Sequence, residues 1–147
     1  MSRLVKIDGP GTQRTRLLKA VGLALRELAG RSRVDDEVRD IAAFAALALH
    51  GVHASIDDTV RAWERRDYWL KADEFRREWA WAGQAAQDLE RLVLRGEWHN
   101  LPIVISGLAG RLQKVKLPKR NNLGDAWLGA YARLREMRGL EKEWKVK

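Results

Sequence analysis

Apolar residues recur at intervals of three and four along most of this chain, the spacing that places side chains on one face of an α-helix. Prolines occur only at Pro10, Pro102 and Pro118. Because proline in a helix interior costs about 3 kcal/mol, the long stretch between the first two is free to form helices. Nothing in the pattern indicates a sheet. We therefore expect an all-α fold, an up-and-down helical bundle of about five helices.

The helical pattern is interrupted where turn residues or a change of face occur, and these interruptions set the expected helix ends. The predicted helices cover residues 12–29, 35–66, 68–95, 100–115 and 125–138. Thr12 and Asn100 are the expected N-caps of the first and fourth helices. Since the second and third helices are long and joined by a short turn, we expect them to form a long central antiparallel hairpin.

The chain of 147 residues has the size of one domain, which at that length buries roughly 70% of its unfolded surface. We predict a single helical domain over residues 1–147, with an N-terminal arm at 1–11 and a loose tail at 140–147. The absence of cysteine excludes thiol nucleophiles, disulfides and thiolate-bound zinc. The first residues lack the apolar core of a signal peptide, and the apolar runs fall short of the ~18 residues of a membrane span, so we expect a cytoplasmic protein without membrane association.

The formal net charge of +8 is distributed unevenly. Residues 1–33 and 97–147 are basic, whereas residues 34–67 are acidic. Two interpretations stay open: the basic ends fold over the acidic helix, or they form a surface for an anion such as nucleic acid. The candidate anion-binding or nucleic-acid-binding residues are Arg111, Lys114, Lys116, Lys119, Arg120 and Arg133. Most tryptophans lie on the apolar stripes, where core packing is the expected role.

Two histidines and an aspartate follow one another at helical spacing in the second predicted helix. His50, His53 and Asp57 lie at i, i+3 and i+7, a pattern from which helical bundles build metal sites. On a helical wheel they point away from the apolar stripe of that helix. Because bundle metal sites face inward, we interpret the three as a solvated polar face and expect no metal and no cofactor.

The turn before the first helix is a second candidate site for an anion. Thr12, Arg14 and Arg16 follow a Gly-Pro-Gly turn and precede a helix whose first amides could hold an anion. The segment lacks the Gly-Lys-Ser/Thr end of a phosphate-binding loop, which argues against nucleotide hydrolysis. No nucleophile motif of the Gly-x-Ser-x-Gly type is present, so we expect a protein that is not an enzyme.

The third predicted helix carries apolar residues outside its main stripe, and these suggest an interface. The interface candidates are Leu70, Trp81 and Leu92. Our leading hypothesis is a non-catalytic binding or scaffold protein that forms a homo-oligomer through this second apolar face. The alternative is an accessory protein that binds nucleic acid, independently of its sequence, through the basic segment 111–138. A metal- or phosphate-dependent enzyme is the weakest hypothesis.

Overall fold

The computed structural model describes residues 9–139, and within that range it contains helices and turns but no strand. The helices are α1 (Pro10–Ala29), α2 (Asp36–Arg65), α3 (Trp69–Glu78), α4 (Ala80–Arg95), α5 (Leu101–Arg111) and α6 (Ala130–Met137). A 3₁₀ turn precedes α5. The predicted all-α fold is confirmed. No helix within residues 9–139 combines the length and the apolarity that crossing a membrane requires.

The first helix begins earlier than the sequence predicts. Gly9 is the N-cap and Pro10 is the first helical residue of α1, a position where proline needs no amide hydrogen. Thr12 therefore lies inside the helix, and its prediction as N-cap is wrong. The last two residues of the predicted arm at 1–11 thus belong to α1. The first eight residues of the arm and the predicted tail at 140–147 lie outside the described range. By contrast, Asp35 caps α2 as its acidic start indicates, accepting a hydrogen bond from the Val38 amide at 2.9 Å.

The predicted third helix is two helices, α3 and α4, separated at Trp79. The backbone of this residue (φ −105°, ψ 8°) ends α3 and begins α4. Its ring lies 6.2 Å from the ring of Phe75 and stacks at 5.7 Å on Trp81. The break contains neither glycine nor proline. The packing of the Trp79 ring against Phe75 and Trp81 stabilises the backbone there. The predicted hairpin of two long helices is thus not found in that form, although both α3 and α4 pack on α2.

The last two helices are shorter than predicted. α5 ends at Arg111 instead of residue 115, and α6 begins at Ala130 instead of residue 125. Gly124 and Gly129 adopt positive φ angles of 61° and 77°, which glycine reaches without strain and which a continuous helix does not allow. The residues between α5 and α6 therefore form a long irregular connection.

The core is built around α2, which packs against α1, α3, α4 and α6. Ile41, Leu49 and Val52 of α2 are fully buried. Alanines of α2 let the neighbouring backbones approach closely, and they are buried too: Ala42, Ala43, Ala45 and Ala46. The last turns of α2 pack against α3 in a smaller apolar cluster of Ile56, Val60 and Ala72. Helix α5 lies outside this centre and rests on α1 and α4.

Candidate binding surfaces

Helix α5 is apolar in sequence and yet mostly exposed. Residues 101–110 carry no charge. Of the eleven residues of α5, all of which lie in the described range, Leu108 alone is buried, and Ile103 is 74% exposed. At Gly107 and Gly110 an added Cβ would meet no described atom within 4 Å. The exposed residues Ile103, Gly107 and Gly110 lie at i, i+4 and i+7 and define what we term the α5 surface.

Apolar grooves flank α5 on both sides. The groove against α4 has a volume of about 440 Å³; its lining includes Trp81, Ile103 and Leu108, with the charged Asp88 and Arg111 beside them. The groove against α1 has a volume of about 310 Å³ and its lining includes Leu25 and Ile105. Although α5 rests on α1 and α4, it thus presents apolar surface on its solvent side and along both grooves.

The structure does not bring the three predicted interface residues to one face. Leu70 is 74% exposed in the first turn of α3, next to the exposed Tyr68 and Trp69. Trp81 is half-buried against Trp79, and Leu92 is 1% exposed in the core. As a correction, Leu92 is a core residue, because α4 is covered on more than the one side that its main stripe indicates.

The basic segment 111–138 separates into two parts with different surroundings. In the first part, the guanidinium of Arg111 lies 5.6 Å from the ring centroid of Trp81. The next four basic residues are exposed and have no ion-pair partner among the described residues: Lys114, Lys116, Lys119 and Arg120. In the second part, Arg133 donates a hydrogen bond to the Leu128 carbonyl at 3.2 Å. Arg138 pairs with Glu90 at 2.7 Å. Within segment 111–138, the cations with no described hydrogen bond, ion pair or ring contact thus lie in the first part of the irregular connection, here called the basic connector (residues 112–120).

The basic connector lies against α1. The side chain of Leu117 covers Gly22, where an added Cβ would lie 2.8 Å from Leu117 Cδ2. Arg26 of α1 donates a hydrogen bond to the carbonyl of Pro118 at 2.9 Å. The connector is therefore anchored at Gly22, where the lack of a side chain on α1 leaves room for Leu117.

The acids of α2 do not pair with the connector within the described range. Their partners are nearby arginines, in the pairs Arg39–Asp36, Arg61–Asp58, Arg76–Glu64 and Arg31–Glu37. Asp40 instead accepts hydrogen bonds from the amides of Gly129 and Tyr131, at 3.1 and 3.0 Å. The described contacts thus leave the charge of the connector facing solvent.

Of the three residues predicted to form a solvated face, only His50 is largely covered by α4; the side chains of His53 and Asp57 are each 49% exposed. His50 Nε2 lies 2.7 Å from Glu90 Oε1, and the His50 side chain is 27% exposed. His53 Nε2 lies 3.6 Å from Asp57 Oδ2. The His53 ring also fills the space beside Gly83, where a Cβ would lie 2.8 Å from Nδ1.

These histidines line a cavity of about 270 Å³ at the break between α3 and α4, together with Asp57, Arg76 and Trp79. No group of three or more histidine, aspartate or glutamate side chains in the described range is placed to hold a metal ion. The cluster of side chains around Glu90 joins α2, α4 and α6 and therefore has an evident structural role.

The candidate residues of the first turn face different directions. Arg14 points toward α2 and α3, with its guanidinium 5.0 Å from the ring centroid of Phe75 and 3.3 Å from the Ser55 hydroxyl. Burial lowers the pKa of Arg14. Thr12 and Arg16 lie on the exposed side of α1 and share a shallow depression with Lys19. Arg14 is thus separated from the other two candidates.

Comparisons of the chain with protein-family models, curated proteins and solved structures gave no match. Two features of these surfaces are absent from the sequence-based candidates: Ile103 on the α5 surface, and Lys19 and Arg26 beside the connector. Their sequence signals are a ten-residue stretch without charge (residues 101–110) and a first helix without acids before Glu27. Neither signal identifies a surface until the exposure of these residues and their neighbours in the fold are known.

Proposed function

We propose that the protein is a non-catalytic helical-bundle binding protein that self-associates through the α5 surface. The observation that supports this proposal is the exposure of the uncharged residues 101–110 of α5, in which a Cβ added at either glycine would meet no described atom. Glycine in a helix interior costs about 1 kcal/mol relative to alanine. No described neighbour of Gly107 or Gly110 requires the absence of a side chain. A second copy that packs closely on these positions would account for both glycines.

Charge favours a second copy as the occupant of this surface. A chain with a net charge of +8 repels its own copies over most of its surface. Across residues 101–110, however, two copies can meet without bringing like charges together. A two-fold arrangement presents the same face from both subunits, so Ile103 of each copy would enter the groove beside the other α5.

Sedimentation equilibrium over a range of micromolar concentrations tests the proposal. The wild-type protein is expected to form dimers, and Ile103→Glu is expected to make it monomeric. Leu70→Glu is the matched control, because Leu70 has the same 74% exposure but lies on α3. A wild-type protein that stays monomeric at the highest concentration refutes self-association. Dimers that survive Ile103→Glu but not Leu70→Glu would place the interface on α3.

A second candidate function is binding of nucleic acid independently of its sequence. Its support is the segment 98–124, which contains five basic residues and no acid. Four of those cations have no partner in the described range, which leaves them able to bind phosphates. Such binding should weaken steeply with salt, because each phosphate contact releases condensed counterions. Absent or salt-insensitive binding of oligonucleotides would refute this candidate.

A further inference from the structure

We infer that α1 and the basic connector form one composite surface that binds the phosphate backbone of a nucleic-acid duplex. The inference rests on the second candidate function and names the residues and the nucleic-acid form. The composite surface comprises Lys19 and Arg26 of α1 with Lys116, Lys119 and Arg120 of the connector. The α1 group and the connector group are about 90–100 positions apart in sequence, and all five residues are exposed.

One stripe of α1 brings the two segments together. Lys19, Gly22 and Arg26 lie at i, i+3 and i+7, on the same side of the helix. Leu117 covers Gly22 in the middle of this stripe, so the connector crosses α1 between the two basic residues. Lys116 precedes Leu117, and Lys119 and Arg120 follow it closely. Contact at Gly22 therefore gathers cations from both segments around one point.

The hydrogen bond from Arg26 to the Pro118 carbonyl strengthens this arrangement. The bond uses one nitrogen of the guanidinium and does not neutralise its charge. At 1.5 Å per residue, Lys19 and Arg26 are about 10 Å apart along α1. That separation lets the two contact different phosphates of one duplex, whose two strands together carry a negative charge every 1.7 Å or so of axis.

Both segments are free of acids in the sequence. Residues 9–26 and 98–124 contain no aspartate or glutamate. The first acid that follows in α1 is Glu27, which accepts hydrogen bonds from Arg31 at 3.1 Å and from Asn121 at 3.3 Å. These hydrogen bonds, that with Arg31 foremost, lower the pKa of Glu27. The carboxylate at the border of the surface is thus already held by another cation.

The surroundings of the aromatic rings favour a duplex over a single strand. Single-strand binding needs free aromatic faces on which bases can stack. Trp81, which lies beside α5, stacks on Trp79 and is covered by the Arg111 guanidinium. The exposed rings of Tyr68 and Trp69 lie at the start of α3, which does not contribute to the composite surface. Phosphate contact without stacking is therefore the expected mode.

The experiment is a binding titration of the full chain with a fluorescein-labelled duplex of about 20 base pairs, repeated over a range of salt concentrations. Two variants test the composite surface: Lys19→Glu with Arg26→Glu, and Lys119→Glu with Arg120→Glu. Each is expected to weaken binding about tenfold or more and to lower the salt slope by about 2, since each removed phosphate contact lowers it by about 1. Lys19→Glu alone leaves the Arg26 hydrogen bond in place and should lower the slope by about 1.

The matched control is Arg65→Glu with Arg66→Glu, at the end of α2. This variant reverses the same number of charges on exposed arginines away from the composite surface. It is expected to bind the duplex almost as the wild type does. An equal loss in the control would mean that net charge alone drives binding, and it would overturn the inference.

The remaining outcomes separate the inference from the function on which it rests. Duplex binding that is lost in the connector variant but kept in the α1 variant overturns the composite surface and leaves the second candidate function standing. No binding of the duplex or of a single strand by the wild type overturns both. Stronger binding of the single strand, abolished by Trp69→Ala, would overturn the inference and move the site to the start of α3.

Discussion

His50 on α2 and Glu90 on α4 are joined by a 2.7 Å contact between Nε2 and Oε1. Arg138, which follows α6, binds the same carboxylate through two nitrogens, at 2.7 and 2.8 Å. The Glu90 side chain is only 14% exposed, so its charge depends on these partners. One carboxylate therefore links three helices that are far apart in the sequence.

Replacing Glu90 by glutamine is expected to destabilise the fold by about 1.5–3 kcal/mol, because hydrogen bonds to a charged group contribute about that much. The hydrogen bond from Arg138, and secondarily that with His50, holds the pKa of Glu90 below its ordinary value of 4.5. Its contribution is therefore complete above that value and is lost as the pH falls through the lower, folded-state pKa. Urea unfolding from neutral pH downward should show the wild type losing its advantage over Glu90→Gln below about pH 4.5.

Asp88→Asn is the control for this change, since Asp88 lies on the same helix in a local pair with Arg91. Exposed pairs of this kind contribute less than about 1 kcal/mol. If Asp88→Asn lowers the free energy of unfolding as much as Glu90→Gln does, the contacts of Glu90 with three helices do not stabilise the fold more than a local pair does.

Asp40 is a tertiary cap of α6. Its carboxylate accepts from the amides of Gly129 and Tyr131, which belong to the cap and first turn of that helix. Asp40→Ala is expected to cost about 1–2 kcal/mol, as the loss of an N-cap does. Hydrogen exchange should show faster exchange at residues 129–131, while Asp36→Asn, at a fully exposed carboxylate, should leave that exchange unchanged.

Arg14 holds α1 against α3 through aromatic contact. Its guanidinium lies 5.0 Å from the ring centroid of Phe75 and 5.6 Å from that of Trp79, and its hydrogen bonds to hydroxyls are long. Arg14→Ala is expected to lower the free energy of unfolding by about 1–2 kcal/mol, with part of the loss due to the buried stem. Thermal unfolding of Arg61→Ala, a change at an exposed arginine, should stay near the wild type. Equal effects at both positions would contradict the aromatic role.

Replacement by alanine should change the stability of the protein differently at two helix-interior glycines. Gly107→Ala places a methyl group in open space and should raise stability by about 0.5–1 kcal/mol. Gly51→Ala puts its Cβ 2.8 Å from Leu17 Cδ1 at the α1–α2 contact, so displacement of Leu17 should cancel that gain or reverse it. Urea unfolding at a concentration where the protein is monomeric measures both. Equal gains at the two positions would show that the α1–α2 contact tolerates a methyl group.

The sequence by itself determined the helical class and the inward face of α2. Ile41, Leu49 and Val52 are buried as their spacing indicates, because helical periodicity is a local property that the order of residues specifies directly. The start of α2 was predicted within one residue for the same reason, since the Asp35 side chain that caps it binds an amide only three residues away.

The tertiary structure alone decided which residues share a surface. Helical periodicity gives the direction of a side chain from its own helix but not the elements that cover it. His50 points away from the core stripe of α2, yet α4 covers it through Glu90. Leu92 lies outside the main apolar stripe of its helix and is nevertheless buried.

The break at Trp79 and the contact of Leu117 with Gly22 likewise depend on residues distant in sequence or on ring packing, for which local spacing carries no signal. The sequence therefore specified the helices and their main apolar faces. The exposed face of α5 and the gathering of basic residues beside α1 depend on packing between distant segments.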